Sequence, residues 1–152
     1  MKKTTLLSII IVVTLISSIA MADEQVAQKY LKTYALSYNG VVLFLLNDGY
    51  TLEQATYAAD NCGANWYIEA LKAAKCYLHY QPYSYQRLFM QLRIDGFTPE
   101  EAKFAVDNCG ADWTEQARIS AQQYLAIFPN GDVVAQLSYE GFTLEQILGG
   151  LK

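Results

Sequence analysis

Apolar residues recur along this chain at the three- and four-residue spacing of a helix face. In one stretch they are Trp66, Ala70, Ala73, Ala74, Tyr77 and Leu78, and 47 residues later they are Trp113, Ala117, Ala121, Tyr124 and Leu125. A second, shorter helix is predicted to begin near Ser37, Ser84 or Asp132. Its buried positions include Val41, Leu45, Leu88, Leu92, Val133 and Leu137.

Cap residues mark where these helices end and where a third one begins. We predict that Gly49, Gly96 and Gly141 end the second helix as caps in the left-handed conformation. The third helix is predicted to follow a capping box, in which a threonine stands three residues before a Gln or Glu. The three pairs are Thr51 with Gln54, Thr98 with Glu101, and Thr143 with Gln146.

The same string of residues returns after a constant interval, which is typical of tandem structural units. Residues 60–66 and 107–113 match almost completely, and the third copy is shortened. We therefore predict an all-α protein of tandem three-helix repeats that resemble helix-turn-helix units. The repeats are expected at 23–64, 65–111 and 112–152. Besides the three capping glycines, the structural repeat motif comprises Cys62, Gly63, Trp66, Cys109, Gly110 and Trp113.

The N-terminus predicts export. Lys2 and Lys3 precede an apolar run and a small-residue site, the order of a signal peptide spanning 1–22 and cleaved after Ala22. Cleavage would leave nine basic residues against fifteen acidic ones, a formal charge of −6, which disfavours nucleic-acid binding. We expect a secreted or cell-envelope protein, on the extracellular face or in a periplasm, that associates with a membrane only if the segment stays uncleaved.

No residue pattern predicts catalysis, a metal or a cofactor. The two motif cysteines would lie at helix C-termini, where the helix dipole disfavours a thiolate. The single histidine, His79, has no ligand cluster around it. Cys62, Cys76 and Cys109 allow at most one disulfide, and the residues leave its pairing open.

Two groups of residues are candidates for binding a protein partner. Tyr80, Tyr83 and Tyr85 surround Pro82, and such aromatics often dominate interfaces, although the same rings could line the core. The acidic residues before the capping glycines, Asp48, Asp95 and Glu140, would attract a basic partner, or would be a solvated face.

The motifs Gly-Phe/Tyr-Thr and Asp-Asn-Cys-Gly-Ala-Asp/Asn-Trp, with Tyr-Leu in the first helix, resemble the repeats of the Ltp family of surface-exposed host lipoproteins. The resemblance spans residues 25 to 148. It implies a prophage-encoded protein that excludes superinfecting phages by engaging a phage tail protein, the tape-measure protein. Family lipoproteins carry a cysteine at the cleavage site, whereas here Asp23 follows Ala22, so lipid anchoring is not expected. The alternative is a general envelope-binding or scaffold module.

Overall fold

The computed structural model describes residues 23–152, and in this range every regular element is a helix. Helix α1 includes residues 23–33. The others are α2 (Tyr38–Asn47), α3 (Leu52–Asn61), α4 (Trp66–Tyr80), α5 (Tyr85–Ile94), α6 (Pro99–Asn108), α7 (Trp113–Ile127), α8 (Val133–Tyr139) and α9 (Leu144–Gly150). The predicted signal peptide, residues 1–22, lies outside the described residues. The all-α prediction is confirmed.

The helix lengths follow the interval seen in the sequence. Helices α4 and α7 have 15 residues each and begin 47 residues apart, and α5 and α6 have 10 residues each. The final pair, α8 and α9, is shortened to 7 residues each. The chain divides into two compact units, one ending at Asn65 and the other spanning Trp66–Lys152. The repeat boundaries predicted at 64 and 111 remain predictions.

Local capping explains where the helices begin and end. Ser37, Ser84 and Asp132 are the N-caps of α2, α5 and α8, and each side chain accepts a backbone N–H of the first turn. The three predicted capping boxes all form. Three capping glycines, Gly49, Gly96 and Gly141, have φ angles of +92°, +90° and +86°. These predictions are confirmed. They could be made from the sequence because each cap depends on residues only a few positions apart.

Each unit has its own apolar core. In the first, Val41 and Leu45 of α2 are fully buried where α2 packs against α3. In the second, α4 packs mainly on α6, and α7 on α9. Leu88, Leu92 and Leu137 are fully buried there, and Val133 packs at the edge of the last cluster, partly buried. Five of the six buried positions predicted for the second helices are thus confirmed, and Val133 is only partly buried.

Small residues allow the closest of these helix contacts. A Cβ atom added to Gly150 of α9 would lie 2.8 Å from the backbone nitrogen of Arg118 and 3.0 Å from the carbonyl oxygen of Thr114, both in α7. On α4, the small residues Ala70 and Ala74 are both fully buried. Between residues 23 and 152, none of the helices combines the length and the apolar character that a membrane span requires.

Candidate binding surface

The acidic residues before the capping glycines all have intramolecular partners. Asp48 accepts a hydrogen bond from the Tyr30 hydroxyl, and Asp95 accepts one from Tyr77 at 2.7 Å. Glu140 accepts one from the Ser120 hydroxyl, also at 2.7 Å. Each bond joins the end of a second helix to the first helix of the same predicted repeat. These carboxylates therefore brace the fold, and their attraction for a basic partner remains a prediction.

The tyrosine hydroxyls of the Tyr30–Asp48 and Tyr77–Asp95 pairs are held in the protonated form. Burial, and then the hydrogen bond to Asp95, raise the pKa of Tyr77 well above its usual value. The hydrogen bond to Asp48 is the main cause of the raised pKa of Tyr30. A neutral hydroxyl can donate to the carboxylate, whereas a phenolate would repel it.

A second pair of carboxylates, Asp60 and Asp107, joins the end of each third helix to the start of the second. Asp60 accepts from the Tyr38 hydroxyl at 3.0 Å, and Asp107 accepts from Tyr85 at 2.7 Å. Lys103 lies 2.5 Å from Asp107, and it lowers the pKa of that carboxyl more than Tyr85 does. Both aspartates therefore make a tertiary contact between helices.

The turn that follows each third helix is stabilised by the residues next to Asp60 and Asp107. The Asn108 side chain donates to the Phe104 carbonyl at 2.7 Å, and the Cys109 thiol donates to the Val106 carbonyl at 3.2 Å. Cys62 makes the equivalent bond at 3.3 Å. Gly63 and Gly110 have φ angles of +72° and +79°. All three cysteines are free thiols in the structure, and Cys76 is exposed.

The three tyrosines predicted to bind a partner differ in their exposure to solvent. Tyr80 is exposed beside His79, but Tyr83 is only 6% exposed, with its ring 5.6 Å from that of Tyr77. Tyr85 is half-buried, and its ring lies 5.6 Å from that of Trp113. Most of the Tyr83 ring is thus packed against its neighbours, and a role of Tyr83 in binding a partner remains a prediction.

A different surface is exposed between α5 and α8. Met90, Ile94 and Tyr139 project from these two helices, and Ile94 is 74% exposed and Tyr139 89% exposed. Together with Arg87 and Glu140 they line an open groove of about 590 Å³, which we call the α5–α8 groove. Sequence reasoning missed it. The available signal was a large apolar residue, Ile94 or Tyr139, directly before the acidic residue and the capping glycine. The first repeat has Asn47 at the same position.

Hydrogen bonds and close packing hold the two sides of the groove together. The Ser84 hydroxyl, at the start of α5, donates to the backbone carbonyl of Glu140 at 2.5 Å, and Arg87 lies 3.7 Å from the Glu140 carboxylate. The side chain of Gln136 also donates to that carboxylate, at 2.9 Å. At Gly141 an added Cβ would lie 3.1 Å from the Ser84 hydroxyl. The polar part of the groove is therefore largely preformed, which reduces the entropy cost of binding.

Within residues 23–152 there is no group of three or more His, Cys, Asp or Glu residues suited to a metal ion. The groove offers apolar surface, one ion pair and several amide side chains, including Gln86 and Gln91. The groove therefore combines exposed apolar side chains with polar and charged ones.

Comparison with known proteins identifies a related family. Residues 65–109, which contain α4, α5 and α6, match the family model Lipoprotein_Ltp, described as host cell surface-exposed lipoprotein. The resemblance to the Ltp family is thereby confirmed for this part of the chain. No curated protein matches the sequence, and no solved structure matches the fold.

Proposed function

We propose, from the match of residues 65–109 to surface-exposed lipoproteins, that this protein is an exported binding module that recognises another protein through its α5–α8 groove. The match and the predicted signal peptide both favour a location outside the cytoplasm. The observation that supports a binding role is the exposure of Met90, Ile94 and Tyr139 beside polar groups that hydrogen bonds hold in place, such as the bond between Ser84 and Glu140.

The chemistry of the groove favours a partner with an apolar anchor. Tyrosine contributes a large contact area at a small entropy cost, and methionine adapts to the shape of whatever it contacts. The Arg87–Glu140 pair can orient polar groups at the border of that contact. An amphipathic helix or an extended segment with one or two large apolar side chains fits these features.

The specific function that we propose is superinfection exclusion. In that case the partner is a phage tail protein, as the resemblance to the Ltp family implies, and binding stops an incoming phage from delivering its DNA. The alternative is a general envelope-binding or scaffold module, which a pull-down from envelope extracts would identify by recovering a wall polymer or a host protein.

Phage DNA entry is the test of the exclusion function. Cells expressing the protein are infected, and adsorption is measured beside potassium efflux or labelled-DNA uptake. We expect unchanged adsorption and reduced DNA entry. The experiment is repeated with a lipobox added to the signal segment, because protection only in that form would show that exclusion needs a membrane tether. Equal DNA entry with and without the protein, in both forms, would contradict the proposal.

A matched pair of variants tests whether the groove is the binding surface. Ile94→Glu places a charge in the groove, and Ile127→Glu places the same charge at a site outside it that is 71% exposed, close to the 74% of Ile94. We expect Ile94→Glu to lose protection and Ile127→Glu to retain it, at equal surface amounts of protein. Loss in both variants, or in neither, would argue against the groove.

A further inference from the structure

The outer face of α9 carries an exposed row of leucines. Leu144, Leu148 and Leu151 follow one another at spacings of four and three residues, so they lie on one side of the helix. All three are exposed, and Leu148 is 51% exposed. A contiguous apolar row of this kind on a protein surface generally marks a contact site, whereas single exposed apolar residues need no explanation.

The corresponding helix of the preceding repeat has no such row. Leu148 occupies the position that Lys103 has in α6, and Leu151 occupies that of Val106. Val106 is 2% exposed, whereas Leu151 is 42% exposed. Helix α9 has therefore replaced a charged surface residue by an apolar one, and it exposes a position that the related helix buries.

Two charged residues of opposite sign border the leucine row. Glu145 and Lys152 are both exposed, and both line the same open groove beside Leu148. This groove of about 590 Å³ lies between α9 and Thr114 of α7.

We infer that α9 is a self-association surface, on which two copies of this chain pack α9 against α9 in antiparallel orientation. A two-fold axis near Leu148 brings the leucine rows together and places Glu145 of each copy opposite Lys152 of the other. The surface is thus complementary to itself, as a two-fold interface requires. A lipid surface would gain nothing from this pairing of charges, and an anionic one would repel Glu145.

The size of the surface predicts a weak dimer. One row of three leucines with two charged residues is smaller than the roughly 800 Å² per partner of a standard stable interface. We therefore expect the exported protein to be monomeric at low concentration and to dimerise at high micromolar concentrations.

Analytical ultracentrifugation of the protein secreted from cells expressing the full sequence tests this inference. Leu148→Glu should abolish dimerisation, since it places two carboxylates at the two-fold axis. The control is Leu52→Glu, a change at a leucine of similar exposure on α3, and it should leave dimerisation unchanged. A monomer at the highest concentration reached, or a dimer insensitive to Leu148→Glu, would overturn the inference.

Charge reversals give a second test in which the leucine row stays intact. Glu145→Lys and Lys152→Glu should each weaken self-association on the order of tenfold at low salt, because both interchain ion pairs become repulsive. Mixing the two variants should restore it, since each then meets its complement. No recovery on mixing would rule out antiparallel pairing. Binding of monomeric protein to anionic vesicles that Leu148→Glu removes would indicate a lipid contact and would also overturn the inference.

Discussion

Replacing Ser84 by alanine tests the link that holds α5 against the end of α8. The Ser84 side chain is completely buried, and it makes two hydrogen bonds. Its oxygen accepts the Arg87 N–H at 3.1 Å, which caps α5, and its hydroxyl donates to the Glu140 carbonyl at 2.5 Å. Loss of an N-cap costs about 1 kcal/mol. Loss of the buried bond to the carbonyl costs about 1 kcal/mol more.

We therefore expect Ser84→Ala to lower the free energy of unfolding by about 2 kcal/mol, and to lower the urea midpoint by about 1 M. Urea denaturation followed by circular dichroism measures both. Ser84→Gly should cost only about half as much, because glycine is itself a tolerated N-cap even though it also lacks both side-chain hydrogen bonds.

Ser138→Ala is the control, since Ser138 is exposed on α8 beside the same groove, and surface changes of this kind usually alter stability by less than about 0.5 kcal/mol. If Ser84→Ala is no more destabilising than Ser138→Ala, the hydrogen bonds of Ser84 do not hold the two helices together. If Ser84→Gly is as destabilising as Ser84→Ala, the cap contributes nothing measurable.

Two further stability predictions follow from other contacts of the second unit. Gly150→Ala should destabilise the protein by about 1–3 kcal/mol in the same urea assay, because the new methyl group would lie too close to backbone atoms of α7, which cannot rotate away. A variant that is more stable than the original protein would contradict this packing. The pKa of Tyr77 is higher in the folded protein than in the unfolded chain, where it is near 10, so the protonated hydroxyl stabilises the fold at pH values below about 10. This stabilisation is lost as the pH rises from about 10 through the folded pKa. Tyr77→Phe should therefore reduce the alkaline loss of stability without removing it, since the pKa of Tyr85 is raised as well; an unchanged pH profile between pH 9 and about 12 would count against this reading.

Most of the secondary structure was predictable because it depends on short-range interactions. A capping box needs only residues three positions apart, and a left-handed cap needs a glycine at one position. The burial of Leu88 and Leu92 followed from helical spacing alone. Even the starts of the second helices, among them the one near Ser84, were identified from the sequence.

The side-chain partners were not predictable in the same way. The structure pairs Asp107 with Tyr85, which is 22 residues away, and pairs Asp95 with Tyr77, which is 18 residues away. Aromatic residues near Pro82 looked alike in the sequence, yet Tyr80 is exposed and Tyr83 is buried. Which of them reaches solvent depends on how α4 packs against its neighbours, and periodicity carries no information on that.

The sequence by itself determined the helices, their caps, the recurrence of 47 residues and the resemblance that the match over residues 65–109 confirms. Only the tertiary structure decided which polar groups pair, that α5 and α8 form a groove, and that α9 exposes a leucine row. The reason is physical. Helix formation and capping depend on neighbours along the chain, whereas a surface is defined by the residues that remain exposed once distant helices have packed.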